Sequence, residues 1–483
     1  MAAESRISRG RLWYLVTSLA LLIPCYWQPR VQAGDLSSHI YNAWLAQLIE
    51  SGRVDGLMIV RQTTNILFDL LLSGMFQVFG PEWAQRVAVS LAVLIFVWGA
   101  VAFVSKASGR SAWYLLPSIA MLAYGWVFHM GFFNFYLGLG LCFWALALAW
   151  EARPRQVAGA AALLVLAYTA HALPVLWALG MLAYVWIARK ISQRARARLM
   201  AGNLLLMGAV HLAISRTLVS NWSPNQLSLA TGVDQVWVFD GKYYFVLAGL
   251  LLIWSSLFLE MVHRRSVREV VSSLPFQLCI LSAAAVFILP TAVLIPGFQH
   301  ALVYIAERMS LGVGICVCAL LGMAQPRALQ RYGLMAVALA FFIFLFRDER
   351  ALNGFEDRMD GVLAQLPAGQ RVVSPIIDPA IRVNALAHMI DRACVGHCYS
   401  YANYEPSTAQ FRIRAVADNA YVVANYGDSW NLQNGKHMVR ERELPLFKIA
   451  VNRAGQLAIE NLKAGVLCES TLWEVLRNPI PNS

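Results

Sequence analysis

Gly34-Asp35-Leu36-Ser37-Ser38-His39-Ile40-Tyr41-Asn42-Ala43-Trp44 follows an apolar run, Leu12 to Tyr26, and decides how the rest of the chain is read. Leu36, Ile40, Ala43, Trp44 and Leu48 recur at helical spacing on one side, interrupted by Gln47. Ser38, His39, Asn42 and Glu50 fall off that stripe. The pattern predicts an amphipathic helix lying in a membrane interface. Asp35 stands where an N-cap would stand, so capping alone explains a carboxylate there. A spacing of four also sets Asp35 and His39 on one helical face, as an acid/base pair. Both readings are open at this point.

Composition supports a membrane setting. Of 483 residues, 59% are hydrophobic and 14% charged, where a soluble domain carries about 25% charged. Several charge-poor runs approach the roughly 20 residues a helix needs to cross a bilayer. The first run has a basic flank, Arg6, Arg9 and Arg11, so a signal peptide must be weighed. Val31-Gln32-Ala33 is the nearest approach to a cleavage site. With many apolar runs downstream, an uncleaved first span is expected. The net charge of +12 is uneven. Residues 348–483 hold 14 Lys/Arg against 15 Asp/Glu, so residues 1–347 hold 25 of the 39 basic and 12 of the 27 acidic side chains. That excess lies mostly in short loops between apolar runs. It reads as topology signal and anionic-lipid contact, and no nucleic-acid-binding motif accompanies it.

The expected fold is a polytopic α-helical membrane domain, 1–347, with a small C-terminal α/β domain, 348–483. Eleven candidate spans are 12–28, 84–104, 111–129, 131–150, 156–171, 172–188, 199–219, 242–260, 273–295, 309–324 and 332–346. The run 65–79 is short and contains Asp69 and Gln77. If it lies on the membrane, 17 of the 25 basic residues fall in six cytoplasmic stretches, Arg189 to Arg198 among them. If it crosses, 14 of those 17 face outward. Orientation follows Lys/Arg bias, so 65–79 is expected to be a second interfacial helix in an external loop of residues 29–83. The N-terminus is then cytoplasmic and the C-terminal domain external.

This topology gathers polar residues on the outer face. His39 lies in the first external loop, His129 at the second outer turn, His171 at the third, and His300, Glu307 and Arg308 at the fifth. Ionisable groups near the hydrocarbon boundary are costly and often functional. Capping of helix ends and snorkelling to water are the ordinary alternatives for each one. His211 falls within a span and His263 on the cytoplasmic side.

Many spans, interfacial helices in the first external loop and an acid early in that loop resemble the GT-C superfamily of integral-membrane glycosyltransferases. Gly34-Asp35-Leu36-Ser37-Ser38-His39 looks like the equivalent stretch of bacterial GT-C-like proteins of unassigned substrate. The chain lacks the Asp-Glu pair of the protein O-mannosyltransferases and the Trp-Trp-Asp motif of the oligosaccharyltransferases. The resemblance implies inverting transfer of a sugar from a polyprenyl-phosphate-linked donor to a glycan, lipid or protein acceptor. The place implied is the periplasmic face of a bacterial inner membrane. Such chemistry needs a base for the acceptor proton and donors or positive charge on the leaving phosphate. Asp35 is the expected base, with His39 orienting it or sharing the acceptor contact. Arg308 suits the phosphate because its fork pairs with phosphate oxygens, with His300 as a second candidate. Asn42, Asn65, Asp69, His129, His171 and Glu307 are expected to line the cavity. A divalent metal is conceivable on Asp35 and His39, yet no third nearby ligand completes a recognisable site. An envelope polysaccharide polymerase or ligase would use the same lipid-facing cavity. A non-enzymatic transporter or assembly protein is the third reading. Transport predicts charged residues along a route through the membrane, whereas the inner spans carry few.

In the C-terminal domain, Phe355 to Leu366 has helical spacing, and Arg371 to Ile377, Tyr421 to Tyr426 and Leu446 to Val451 read as strands. Cys394, Cys398 and Cys468 are free to form a disulfide on the external side, as Cys394–Cys398 or with either paired to Cys468. His388 and His397 lie nearby without a recognised zinc spacing. Cys398-Tyr399-Ser400-Tyr401-Ala402-Asn403-Tyr404-Glu405-Pro406 offers aromatic rings of the kind that stack on sugars, or an ordinary tyrosine-packed loop.

Overall fold

A computed structural model describes residues 2–296, 301–416, 419–452 and 456–472. The chain is mostly helical, with short strands concentrated towards its C-terminal end. Helices α1 (Ala2–Tyr26), α2 (Gly34–Glu50) and α3 (Leu67–Ser108) open it. Two short helices follow, α4 (Leu116–Ala123) and α5 (Trp126–His129), then α6 (Phe133–Ala149), α7 (Pro154–Ala170), α8 (Ala172–Lys190) and α9 (Gln193–Thr217). After α10 (Gln226–Leu229) come α11 (Tyr243–Arg264), α12 (Val267–Ser272), α13 (Leu274–Ile288), α14 (Ile305–Leu321) and α15 (Ala328–Leu363). The C-terminal region adds α16 (Met389–Ala393), α17 (Tyr404–Thr408) and α18 (Tyr426–Gln433).

Among the described residues, five helices are long and apolar enough to cross a membrane: α3, α8, α9, α11 and α15. Three shorter apolar helices, Arg11–Tyr26, Phe133–Ala149 and Leu274–Ile288, accompany them. The expected span 111–129 is not one helix. It divides into a 3-10 turn, α4 and α5, with the break at Tyr124-Gly125. A Cβ on Gly125 would stand 2.6 Å from the Gln235 carbonyl oxygen, so the chain yields there to a neighbouring segment pressed against it. The expected span 273–295 also ends early, at Ile288. Ala292–Leu294 instead forms the middle of a three-stranded antiparallel sheet with Val219–Asn221 and Leu302–Val303.

Residues 67–79 form the first arm of α3. The arm is separated from the remainder at Gly80, whose φ of 74° breaks the helix, and Pro81 follows. Proline without an amide hydrogen marks such a kink. Farther along α3, Gly99 meets Gly140 of α6 so closely that a Cβ on Gly99 would lie 2.5 Å from the Gly140 carbonyl. Small residues let helix backbones approach in this way.

The boundary expected at residue 347 is not a break, because α15 runs through it for 36 residues. The helix read at 355–366 is the end of that same helix. The disposition is physically sound: Leu334, Phe341 and Leu345 face the membrane-domain core, and Leu352, Phe355 and Met359 continue the buried stripe into the C-terminal domain. One contiguous hydrophobic core includes both sets, and a smaller cluster around Val373, Leu432, Leu446 and Cys468 serves the C-terminal domain alone.

The C-terminal domain is built on a four-stranded sheet in the order 457–461, 447–451, 371–373, 399–400. Its first pairing is antiparallel and the next two are parallel. Tyr421 to Tyr426 is not a strand. Asn419 Oδ1 accepts from the amides of Tyr421 and Val422, and Asn425 caps α18, so side chains occupy amides a ladder would need. The domain also reaches across to the segment between α2 and α3. Leu57–Ile59 pairs antiparallel with Ile413–Ala415.

Candidate functional site

Asp35 occupies the first turn of α2 but does not cap it. Ala33 is the N-cap, extended at φ −146°, and makes no side-chain cap bond. The Asp35 amide donates to the Met130 carbonyl at 3.0 Å. A Cβ on Gly131, at φ 82°, would lie 2.5 Å from the Asp35 nitrogen. A glycine at this left-handed position therefore lets the 130–131 turn lie on the α2 terminus and fixes where Asp35 stands. Its side chain keeps 22% of its surface exposed, so solvent reaches it.

The expected Asp35–His39 pair does not form. His39 Nδ1 donates instead to Asp69 Oδ1 at 2.6 Å. Asp69 Oδ2 accepts from Asn134 Nδ2 at 2.7 Å, and Asn134 Oδ1 accepts from the Phe68 amide. Glu405 Oε1, buried and without a hydrogen bond, lies 3.8 Å from His39 Nδ1. Burial works against the His39 imidazolium, but Asp69, Glu405 and Asp35 outweigh it and raise its pKa to about 9. Burial pushes the Glu405 carboxyl up to about 7, with His39 opposing and Asp69 reinforcing.

Asp35 has a different histidine. His388 Nε2, at the start of α16, lies 3.6 Å from Asp35 Oδ1. His388 Nδ1 lies 3.4 Å from Asp391 Oδ2, one helical turn on. Asp391 Oδ1 accepts from the Ser400 hydroxyl. The His388 ring packs against Tyr404 at a tilt of 48°, with centroids 4.9 Å apart. Burial disfavours the His388 cation, yet Asp391, Asp35 and Glu405 raise its pKa above the ordinary histidine value. These residues were not among those expected from sequence. His388-x-x-Asp391 at helical spacing was the available signal, and Tyr404 and Glu405 lay within the tyrosine-rich stretch.

Arg308 sits in the first turn of α14, half-buried, with its guanidinium carbon 3.9 Å from the Phe132 ring centroid. Its Nε is buried without a hydrogen-bond partner. No carboxylate among the described residues lies within ion-pair distance of it. Asp35, Tyr404, Tyr304 and Glu307 act on it electrostatically, and it is within electrostatic reach of His171. Tyr304, just before this helix, adopts a left-handed φ of 58°. A bulky residue there is an outlier of the kind that clusters at functional sites.

The other expected residues divide. Asn42 joins the site's supporting network: its Nδ2 donates to Ser38 Oγ at 3.1 Å, and its Oδ1 accepts from Asn403 Nδ2 at 2.9 Å. Asn403 in turn caps α17, which carries Tyr404 and Glu405. His129 is fully buried, bonded through Nε2 to Glu349 at 3.1 Å and through Nδ1 to the Gly125 carbonyl. It holds α5 to α15 and does not line an open site. His171 Nδ1 accepts the Leu173 amide and caps α8. Glu307 accepts from the Thr291 hydroxyl and turns its other carboxylate oxygen, buried and unpaired, elsewhere. Asn65 takes a left-handed turn conformation, φ 56°, ahead of α3. His300 lies outside the described residues.

Cys394 and Cys398 are joined by a disulfide, while Cys468 is free and buried. The bridge closes the turn between α16, which carries Asp391 and follows His388, and the strand at Ser400. Among the described residues, no group of three His, Cys, Asp or Glu side chains is arranged to hold a metal. Asp35 and His39, the pair considered for one, direct their side chains to different partners.

The C-terminal domain is locked to this region by buried charge. Arg392 makes two bonds to Glu356, at 2.7 and 2.6 Å, and donates to the Val31 carbonyl, Gln85 Oε1 and Gln32 Oε1. Arg382 is set between Trp126 and Trp237 and pairs with buried Asp234 at 3.1 Å.

No family model, curated protein or solved structure matches the chain.

Proposed function

We propose that this membrane protein is a glycosyltransferase that moves a sugar from a polyprenyl-phosphate-linked donor to an acceptor at the outer face of a bacterial inner membrane. The observation that carries the reading is Arg308. It is a half-buried guanidinium with no acidic partner at ion-pair distance among the described residues, in electrostatic reach of the solvent-accessible carboxylate of Asp35. A cation kept without an anion is suited to receive one, and a phosphate matches its fork. The carboxylate beside it is suited to take a hydroxyl proton from the acceptor.

In this reading the donor enters laterally from the lipid and sets its phosphate on Arg308. The acceptor hydroxyl loses its proton to Asp35 as its oxygen attacks the anomeric carbon. The bond from that carbon to the phosphate oxygen breaks, and the electron pair leaves with the phosphate, whose charge Arg308 offsets. Tyr304 and Tyr404, both acting on Arg308, border the same space.

Asp35→Asn tests the base. Transfer from a radiolabelled polyprenyl-phosphate sugar is expected to fall by about 10²–10⁴-fold, the span of a general base, with membrane insertion unchanged. Full activity removes Asp35 from the reaction. Arg308→Ala is expected to raise the KM for the lipid donor by about tenfold or more while sparing the acceptor; the reverse pattern rejects the phosphate assignment. Reporter fusions at Ser192 and Gln410 test the orientation, with a cytoplasmic signal expected from the first only.

A further inference from the structure

We propose that His171 is a second ligand of the lipid phosphate: its Nε2–H, held neutral and in place by helix capping, binds the phosphate together with the Arg308 guanidinium. The inference rests on the reading of Arg308 as the residue that receives the donor phosphate.

Capping fixes both the ring and its proton. His171 precedes α8 in extended backbone, and its Nδ1 accepts the Leu173 amide at 3.2 Å. A ring nitrogen that accepts carries no proton, so the imidazole is neutral and its proton lies on Nε2. Among the described residues no acceptor takes that N–H, and the ring is partly exposed. Arg308 acts on the ring electrostatically, and a neighbouring positive charge also favours the neutral form. The Nε2–H is thus a donor of fixed direction left open to a ligand.

Two aromatic rings at the start of α6 seat the pair. Phe132, the N-cap of α6, lies under the Arg308 guanidinium, with 3.9 Å from ring centroid to guanidinium carbon. Phe135, three residues on, meets the His171 ring edge-on, with centroids 5.5 Å apart. The turn between α7 and α8 is pressed on the same helix: a Cβ on Gly138 would lie 3.3 Å from the Ala167 carbonyl oxygen and 3.4 Å from the His171 nitrogen. The Ile66 amide and the Thr64 hydroxyl donate to the Thr169 and Tyr168 carbonyls and hold that turn further. Glu307, the acid next to Arg308, is engaged by the Thr291 hydroxyl, and Arg308 Nε is buried and unpaired. Two donors fixed before a ligand arrives reduce the ordering that binding must supply. A phosphate offers several acceptor oxygens, so the guanidinium and a separate N–H can serve different ones. The neutral ring adds a hydrogen bond there without setting a second cation beside Arg308.

The experiment separates the donor from the cap. His171→Asn keeps a side-chain oxygen for the Leu173 amide, because Asn is among the best N-caps, but places no donor where Nε2 stands. His171→Gln extends an amide donor to about the Nε2 position and gives up the cap. Purified full-length protein is titrated with a polyprenyl phosphate lacking sugar, and with the matching uncharged polyprenol, and occupancy is read by native mass spectrometry. His171→Asn is expected to weaken polyprenyl phosphate binding by about tenfold or more, the effect of one hydrogen bond to a charged group. Its polyprenol binding and its melting temperature without lipid are expected to match wild type. His171→Gln is expected to bind the phosphate nearly as wild type does and to melt lower. Unchanged phosphate binding in His171→Asn overturns the inference, as does an equal loss for the phosphate and the alcohol. Inorganic phosphate is expected to displace the lipid only at far higher concentration; displacement at equal concentration would give the site to free phosphate and overturn the assignment to a lipid. Binding needs no acceptor and no turnover. If His171→Asn loses the phosphate while no polyprenyl-phosphate sugar is ever used, the phosphate pair stands and the transfer reading falls.

Discussion

His39 donates to Asp69 at 2.6 Å, joining helix α2, whose polar side is buried along with its apolar one, to the first turn of the long helix α3. The bond ties α2 to α3 across the segment that joins them, and Glu405 of the C-terminal domain faces the same imidazole. It also releases Asp35 from the histidine four residues along its own helix.

The His39 imidazolium should make stability fall at high pH. Its folded pKa, raised to about 9, exceeds the unfolded value of 6.5. A group raised in this direction contributes stability fully below the unfolded value and loses it as pH rises through the folded one. Thermal unfolding of the wild type should therefore decline between pH 7 and 10 more than that of His39→Gln. Parallel curves for the two proteins would refute the assignment.

Glu405 should behave in the opposite sense. Burial raises its carboxyl to about 7 from 4.5. An acid raised on folding costs stability as pH climbs past its unfolded value, and the cost is complete above the folded one. Glu405→Gln should then raise the melting temperature at pH 8 by about 2 °C, equivalent to roughly 1 kcal/mol in a large domain, and have little effect near pH 4.5. A drop at pH 8 would indicate that the ionised carboxylate holds His39 more than burial penalises it.

Arg392→Met should undock the C-terminal domain. It leaves Glu356, fully buried, without its bidentate partner. Removing one side of a buried pair costs about 3–5 kcal/mol. Limited proteolysis of the variant in nanodiscs should cut within 378–400 faster than in wild type. Adding Glu356→Gln should recover part of the loss, and equal sensitivity in all three proteins would contradict the latch.

Gly131→Ala should displace Asp35 without replacing it. The new Cβ meets the Asp35 nitrogen at 2.5 Å, and the φ of 82° disfavours any other residue. The expected cost is about 1–3 kcal/mol of local strain, read as lower transfer with normal membrane insertion. Wild-type activity in this variant would mean that the 130–131 turn does not fix the acid.

Some of this architecture was legible before any coordinates. Apolar spacing marked α2 from Leu36 to Leu48, and charge-poor runs located helices α6, α7, α8 and α11 to within a few residues, whereas α9 begins earlier than its run and α15 continues well past its own. Local periodicity reports which face of a segment is apolar, and that information survives folding. It failed where tertiary contact overrode it. Gly125 breaks the run 111–129 because Gln235 approaches it, and Asn419 and Asn425 divert amides from the strand read at 421–426.

The sequence by itself determined a helix at 34–50 with an acid at its start and an arginine at the head of a later helix, because helical spacing and charge are local properties. Only the tertiary structure decided which charges meet. Asp69 takes His39 away from Asp35, and His388, from the far end of the chain, takes its place. Electrostatic pairing depends on distance through space, and the turn at Gly131 and the buried Arg392–Glu356 latch set those distances.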